Sequence, residues 1–405
     1  MFNYIMPEEA LQIISKTFTT KMDDEMVEIT AAVGRVLSCD IVANEFVPSF
    51  NRSAMDGYAV IASDTLGCSE DNPVSLKLQG EVLMGDHCTA HIESGCCIYV
   101  PTGAEMPEGS DSVVMIEYAE PQPNGTIIIT KEVSPGLHYV SKGDDVYPGK
   151  VVLKAGRRIK SSDIGALAAM GICDVPVVKK PVVAVISTGD ELVSRNQAPA
   201  DGQIRDVNSA TMHVLIDEVG GIPKFYGIIR DDEDSLGNAM MNAASECDII
   251  LLSGGSSVGL KDATDKVISK YGEIVIQGIQ AKPGKPTIVG IINGKPVFGM
   301  PGHPVSSFFN TEIFVKHTIR CMLGTSKDEY VVPAKVTEDV NPYKGRTAFI
   351  GAKLVFDTDE LTAIPLPTKS ATITTLAGAD GWFIIPKASA GIHAGETIEV
   401  HLLGM

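Results

Sequence analysis

Residues 181–323 alternate short apolar runs with stretches of helical spacing, and this alternation constrains the fold more than any other feature of the chain. The runs 182–186, 248–252, 274–279 and 297–300 read as buried strands. Asn208 or Ser209 is placed to cap a helix over 210–219, and Asp234 one over 236–244. Asp262 stands at the start of a helix reaching Lys270, and Pro304 opens another over 305–323. Strands alternating with helices of ten or so residues predict a parallel sheet with crossover connections. In such a sheet ligands sit beyond the carboxyl ends of the strands. The four loops that follow the four runs therefore converge on one edge.

Those loops carry a consistent chemistry. Asp190 and Glu191 follow the first run, and with Asp231 and Asp232 at the next strand end they read either as Mg²⁺ ligands or as a solvated acidic loop. Gly254-Gly255-Ser256-Ser257 lets backbone approach a ligand closely and can form an anion nest. It is not a Walker loop, because Gly259 is followed by Leu260. Lys282-Pro283-Gly284-Lys285-Pro286 holds two ammonium groups on a stiff turn, suited to phosphate or another oxyanion, or else to an exposed basic turn. Pro301-Gly302-His303-Pro304-Val305-Ser306 ends a strand and opens a helix, whose free amides attract anions. Together they suit an anionic, phosphate-bearing ligand accompanied by a metal ion.

The chain has 405 residues, enough for two to four domains at roughly 100–200 residues each. Hydrophobic residues make up 44% and charged residues 21%, a globular balance. A formal net charge of −18 argues against general nucleic-acid binding, which needs clustered cations. An anionic ligand must then be drawn in by local fields. No apolar stretch approaches a membrane span, and the first residues, with Glu8 and Glu9, do not resemble a signal peptide. Eight cysteines without a C-x-x-C pair fit a reducing cytoplasm.

Elsewhere, residues 7–36 read as helical, with Pro7 at the start. Residues 74–155 are short strands broken by Gly and Pro. A helix follows over 161–171, with Ser161 or Ser162 as its cap. Residues 331–405 return to short strands. The expected organisation is an α/β multidomain chain. A helical N-terminal and linker subdomain spans 1–47 and 149–180, and a β-rich module spans 48–148. An α/β domain spans 181–326, and a small barrel-like all-β domain 331–405. By composition alone Asp56, in the run Asn51–Ala59, is only part of an Asp-Gly turn.

Six motifs in order resemble the molybdopterin molybdenumtransferases of the MoeA type, related to the C-terminal domain of gephyrin. They are Ser53-Ala54-Met55-Asp56-Gly57-Tyr58-Ala59, Pro101-Thr102-Gly103-Ala104, Ser187-Thr188-Gly189-Asp190-Glu191-Leu192, Gly227-Ile228-Ile229-Arg230-Asp231-Asp232, and the Lys282 and Pro301 motifs above. The resemblance implies an elongated homodimer that takes adenylylated molybdopterin and molybdate, inserts molybdenum with a divalent cation, Mg²⁺, and releases AMP. Tungstate is the alternative oxyanion. It implies a site built between the α/β domain and the Asp56 module of the other subunit. Asp56, Thr102, Asp145, Lys282 and Lys285 then take catalytic roles. Gly254, Gly255, Ser256, Asp231, Asp262, Pro301, His303 and Ser306 bind substrate, and Asp190 and Glu191 hold the metal. Transient partners would be a molybdopterin adenylyltransferase or apo-molybdoenzymes. The chain departs from the family pattern at Lys142, Ala263 and His303, where Arg, Tyr and Asn are usual. The alternatives are nucleotidyl transfer by the α/β domain and a non-catalytic carrier or scaffold.

Overall fold

The computed structural model describes residues 4–254, 258–325, 330–357, 360–367 and 369–404, with backbone alone over 258–262. At its centre lies a six-stranded sheet ordered Ile222–Ile229, Val182–Thr188, Ile249–Gly254, Lys295–Met300, Ile288–Ile292, Gly272–Gln277. The first four strands are parallel. Ile288–Ile292 is reversed, so Gly272–Gln277, antiparallel to it, again runs with the first four. All five strands of common direction end on one edge.

The reversed strand is an addition to the expected pattern. Ile288–Ile292 and Lys295–Met300 form a hairpin, with Asn293 and Gly294 both at positive φ (53° and 77°). Asn-Gly is the pair that this tight, primed turn favours, so the signal was present in the sequence.

Strand alternation fills both faces. Val183, Val185, Ile249 and Leu251 pack toward Met212 and Ile216 of helix Asn208–Glu218 and toward Phe309 and Ile319. Ala184, Ile186, Ile250 and Leu252 face Leu236, Met240 and Ala243 of helix Glu233–Glu246. Helices on both faces are what a largely parallel sheet requires. The cap of the second helix is Asp232 rather than Asp234, its carboxylate accepting from Ser235 N at 2.8 Å. Residues 304–323 form one helical run, with a π-turn over Thr311–Val315.

The N-terminal helix is shorter than expected. It spans Pro7–Thr17 and ends at Phe18 before two β-branched threonines, which lose rotamer freedom in a helix. Residues Asp24–Glu28 form a strand paired with Asp174–Val178, and Ile41–Val42 pairs with Val151–Leu153. The subdomain is therefore mixed, with the helix Ser161–Ala169 capped from Lys160 through Asp163 instead of from Ser161 or Ser162.

The β-rich module is a six-stranded sheet whose middle strands include Gly57–Val60 and Cys96–Val100. In the last domain Thr347–Asp357 pairs with both Glu360–Pro365 and Gly381–Ile385, closing five strands into a barrel. Ala281–Lys282 of the α/β domain adds a short parallel strand to it at Thr347 and Ala348. Phe309 stacks on Phe349 and meets Trp382 edge-on, so these two domains share a core. The surface of 19809 Å² exceeds the roughly 15,000 Å² of a compact chain of this mass, as an elongated shape requires. All eight cysteines are unpaired. Among the described residues no helix is long and apolar enough to cross a membrane.

Candidate functional site

The lysine turn lines a pocket of about 580 Å³ between the α/β domain and the barrel. Lys282, Lys285, Pro301, His303 and Ser306 all face it. Gly284 takes φ +112°, and a Cβ there would sit 2.6 Å from the Asn310 side chain. Asn310 Nδ2 donates to Thr287 Oγ1, whose hydroxyl donates to Gly284 O, so the turn is clamped from beneath by a buried chain of bonds. The two ammonium groups rest on aromatic faces: Lys282 Nζ is 3.9 Å from the Tyr343 ring centre, and Lys285 Nζ 4.3 Å from that of Tyr4. Ser306 is buried, whereas His303 is exposed at the helix start. The barrel supplies Tyr343, Arg346 and Ser370 as the far wall, which strand–loop reasoning within one domain did not find. Val305 N donates to Ser370 O at 3.0 Å, fixing that wall.

A second corner lies where the adjacent parallel strands Val182–Thr188 and Ile222–Ile229 end. Asp190 and Glu191 are exposed there. Asp231 Oδ1 is buried without a well-formed hydrogen bond among the described residues, the Thr188 hydroxyl nearby giving it only partial support. Burial, and then the charges of Asp190 and Glu191, hold the Asp231 carboxyl above its ordinary range. Such an under-compensated carboxylate set fits a divalent cation. Among the described residues, however, no three His, Cys, Asp or Glu side chains stand in ready metal-ligating geometry. The side chain of Asp262, and Gly255 and Ser256, lie outside the described residues. Gly254 pairs with Thr188 so closely that a Cβ would fall 2.1 Å from Thr188 O.

Asp56 and Thr102 are brought together across 46 residues. The Asp56 carboxylate accepts from Thr102 N (2.7 Å) and Thr102 Oγ1 (3.0 Å). Both lie on the exposed end of the β-rich module, and Asp145 is exposed on a loop bonded to Val47. Among the described residues no hydrogen bond or ion pair joins this module to the α/β domain. Within one chain the predicted residues thus form separate groups.

Sequence reasoning read Asn208 only as a candidate helix cap and passed over Asp206. The structure shows both in a buried network under the loops. Ser187 Oγ donates to Asp206 Oδ2 at 2.6 Å, and Asn208 reaches two further loops. A larger cleft, about 740 Å³, opens at the opposite, amino end of the strands. Several of its cations are already committed: Arg157 to Asp163, Lys154 to Asp40, and Lys316 to Glu218 and Glu312. It is a seam between domains and does not coincide with the loop edge.

Fold and site together define a class: residues 184–320 match the family model described as a probable molybdopterin binding domain. The flanks are equally specific. Residues 5–171 match the MoeA N-terminal region (domains I and II) and 333–403 the MoeA C-terminal region (domain IV). The chain belongs to the MoeA family. A putative molybdopterin biosynthesis protein of Methanocaldococcus jannaschii is 32% identical over 98% of both chains. The molybdopterin molybdenumtransferase of Bacillus subtilis is 31% identical over 95% of this chain and 91% of its own. The crystal structure of a molybdopterin biosynthesis MoeA protein from Pyrococcus horikoshii OT3 superposes with a TM-score of 0.88 at 32% identity, covering 99% of this chain and all of that one.

Proposed function

We propose that this protein is a molybdopterin molybdenumtransferase that inserts molybdate into adenylylated molybdopterin and releases AMP. The observation that carries this reading is the pairing of a lysine-walled pocket with an under-compensated carboxylate corner on one sheet edge. The first suits a metal oxyanion, and the second a cation beside a phosphoanhydride.

Lys282 and Lys285, backed by Arg346 and Ser306, receive the oxyanion by charge-assisted hydrogen bonds. Gly254 packs against Thr188 at the strand end, and the sequence Gly254-Gly255-Ser256 supplies the amides for an anion loop. Asp190, Glu191 and Asp231 are the groups that would hold Mg²⁺, with Asp262 beside them in sequence role. When bound, the cation absorbs charge developing on the phosphoanhydride. Asp56 is oriented by Thr102 and, with Asp145, acts at the reacting end.

Asp56 is bonded within the module and Asp145 to Val47 and Lys150 of the linker subdomain, and among the described residues neither is bonded to the α/β domain of its own chain, which supports a homodimer whose sites each use both subunits. The edge strand Ile222–Ile229 and the neighbouring helix Asn208–Glu218 expose Ile222, Phe225 and Val214, an apolar surface consistent with a partner copy. Nucleotidyl transfer and a non-catalytic carrier are disfavoured by relatives whose names state the transferase over almost the full chain. A cytoplasmic setting agrees with eight free thiols.

The test is AMP release by purified protein given adenylylated molybdopterin and Mg²⁺, with molybdate, tungstate or neither. Release that depends on molybdate is expected. AMP release indifferent to oxyanion, or tight pterin binding without release, would reject the transferase.

A further inference from the structure

Asn208 opens the helix Asn208–Glu218 and is 7% exposed. Its Nδ2 donates to Ser253 Oγ at 2.8 Å and to Gly302 O at 2.9 Å. Gly302 O can only accept, so the amide nitrogen is the atom facing it, and the carboxamide orientation is fixed. The oxygen, Oδ1, is buried and has no partner among the described residues. An orphaned buried acceptor costs on the order of 1–3 kcal/mol, so this side chain is a poor choice for stability alone. What it does achieve is a bridge. Ser253 closes the strand that leads into the glycine-rich loop, and Gly302 lies in the turn that places His303 and Ser306 at the oxyanion pocket. Two residues earlier Asp206 takes the Ser187 hydroxyl, at the end of the strand that leads to Asp190 and Glu191. The segment 206–208 therefore ties together three neighbouring strand ends, each of which carries a different part of the site.

We propose that Asn208 is a positioning residue of the transferase site. Its amide sets the distance between the glycine-rich loop and the Pro301–Ser306 turn, so that phosphate and oxyanion are held in register. This rests on the functional reading above and adds to it a residue that does not line the lysine pocket. Precise spacing matters because small displacements of bound groups cost large factors in rate.

The experiment compares wild type with Asn208→Ala and Asn208→Asp, at a temperature where circular dichroism shows all three folded. Hydrogen exchange is followed in peptides covering 251–254 and 301–306, and AMP release is followed against molybdate and pterin substrate. The proposal expects faster exchange in both peptides of Asn208→Ala, and at least a tenfold rise in KM for both substrates. Asn208→Asp adds a readout that bulk destabilisation does not share. Its carboxylate cannot donate to Gly302 O, but its protonated form can. Its activity relative to wild type is therefore expected to rise as pH falls toward 5. Unchanged exchange in either peptide, KM values within twofold of wild type, or a pH-independent activity ratio would each overturn the proposal. If wild type itself releases no AMP, the functional reading fails, and the catalytic role with it. The exchange data then report separately on whether the bridge exists.

Discussion

Single residues carry the chemistry, and their individual effects are separable. Lys285 lines the pocket from a turn fixed by Gly284 and Asn310, with its ammonium group over the Tyr4 ring. Replacing it with alanine removes a charge-assisted bond worth about 1.5–3 kcal/mol. The molybdate concentration for half-maximal turnover should then rise roughly tenfold to a hundredfold, which a titration of AMP release reads directly. Asp56→Ala should abolish turnover while shifting thermal stability little, because the donors it leaves, Thr102 N and Oγ1, are at an exposed position and return to water. Wild-type turnover in this variant would remove Asp56 from the reaction. Asp231 behaves in the opposite sense to a salt-bridged carboxylate. Its folded pKa is raised by burial and by Asp190 and Glu191, so the folded protein holds that proton more tightly than the unfolded chain. Its contribution to stability is thus fully present below the unfolded pKa and is lost as pH rises through the folded one. Mg²⁺ and that proton compete for the same carboxylate, so binding should weaken as pH falls into the acid range. Titration calorimetry over a series of acid pH values reads this directly, and an Mg²⁺ affinity that does not fall on acidification would remove Asp231 from the ligand set. At this scale the position of the two lysines on a pocket-lining turn was legible in sequence, because the turn follows a strand in an unusual local motif. Asn208 was not, because an Asx residue at a helix start reads as a cap whatever else it touches. Arg346 and Ser370 reach the pocket from a separate domain, and no local pattern carries that information.

Elements show where local rules suffice and where packing overrides them. The alternation of strands and helices predicted the central sheet, since the same periodicity that buries Val183 on one face buries Ala184 on the other. The reversed strand Ile288–Ile292 escaped because a buried apolar run has no direction until its turn is read. The supposed helix over 7–36 failed past Phe18, where the chain pairs with a strand more than 140 residues away. Periodicity over 304–323 predicts a plain helix and carries no mark of its π-turn. Directly after that turn Lys316 is buried between Glu312 (2.6 Å) and Glu218 (2.8 Å). Lys316→Ala would leave two carboxylates facing one another without their cation, and should cost about 3–5 kcal/mol. Urea denaturation would show it, and a loss under 1 kcal/mol would mean that solvent already screens the cluster.

The whole molecule explains why the site residues lie so far apart in sequence. The barrel and the α/β domain share an aromatic core beneath the pocket that Lys282 and Lys285 line. Among the described residues the β-rich module makes no hydrogen bond or ion pair to that body, and it carries Asp56, Thr102 and Asp145. On this account a second subunit brings the module to the α/β loops. The most direct measurement is complementation between Asp56→Ala and Asp231→Asn, each inactive alone, co-expressed and assayed for molybdate-dependent AMP release. Heterodimers that place both defects in one site leave the other intact. The mixture should recover about a quarter of wild-type turnover if subunits exchange at random. A mixture as inactive as its parents would contradict the shared site.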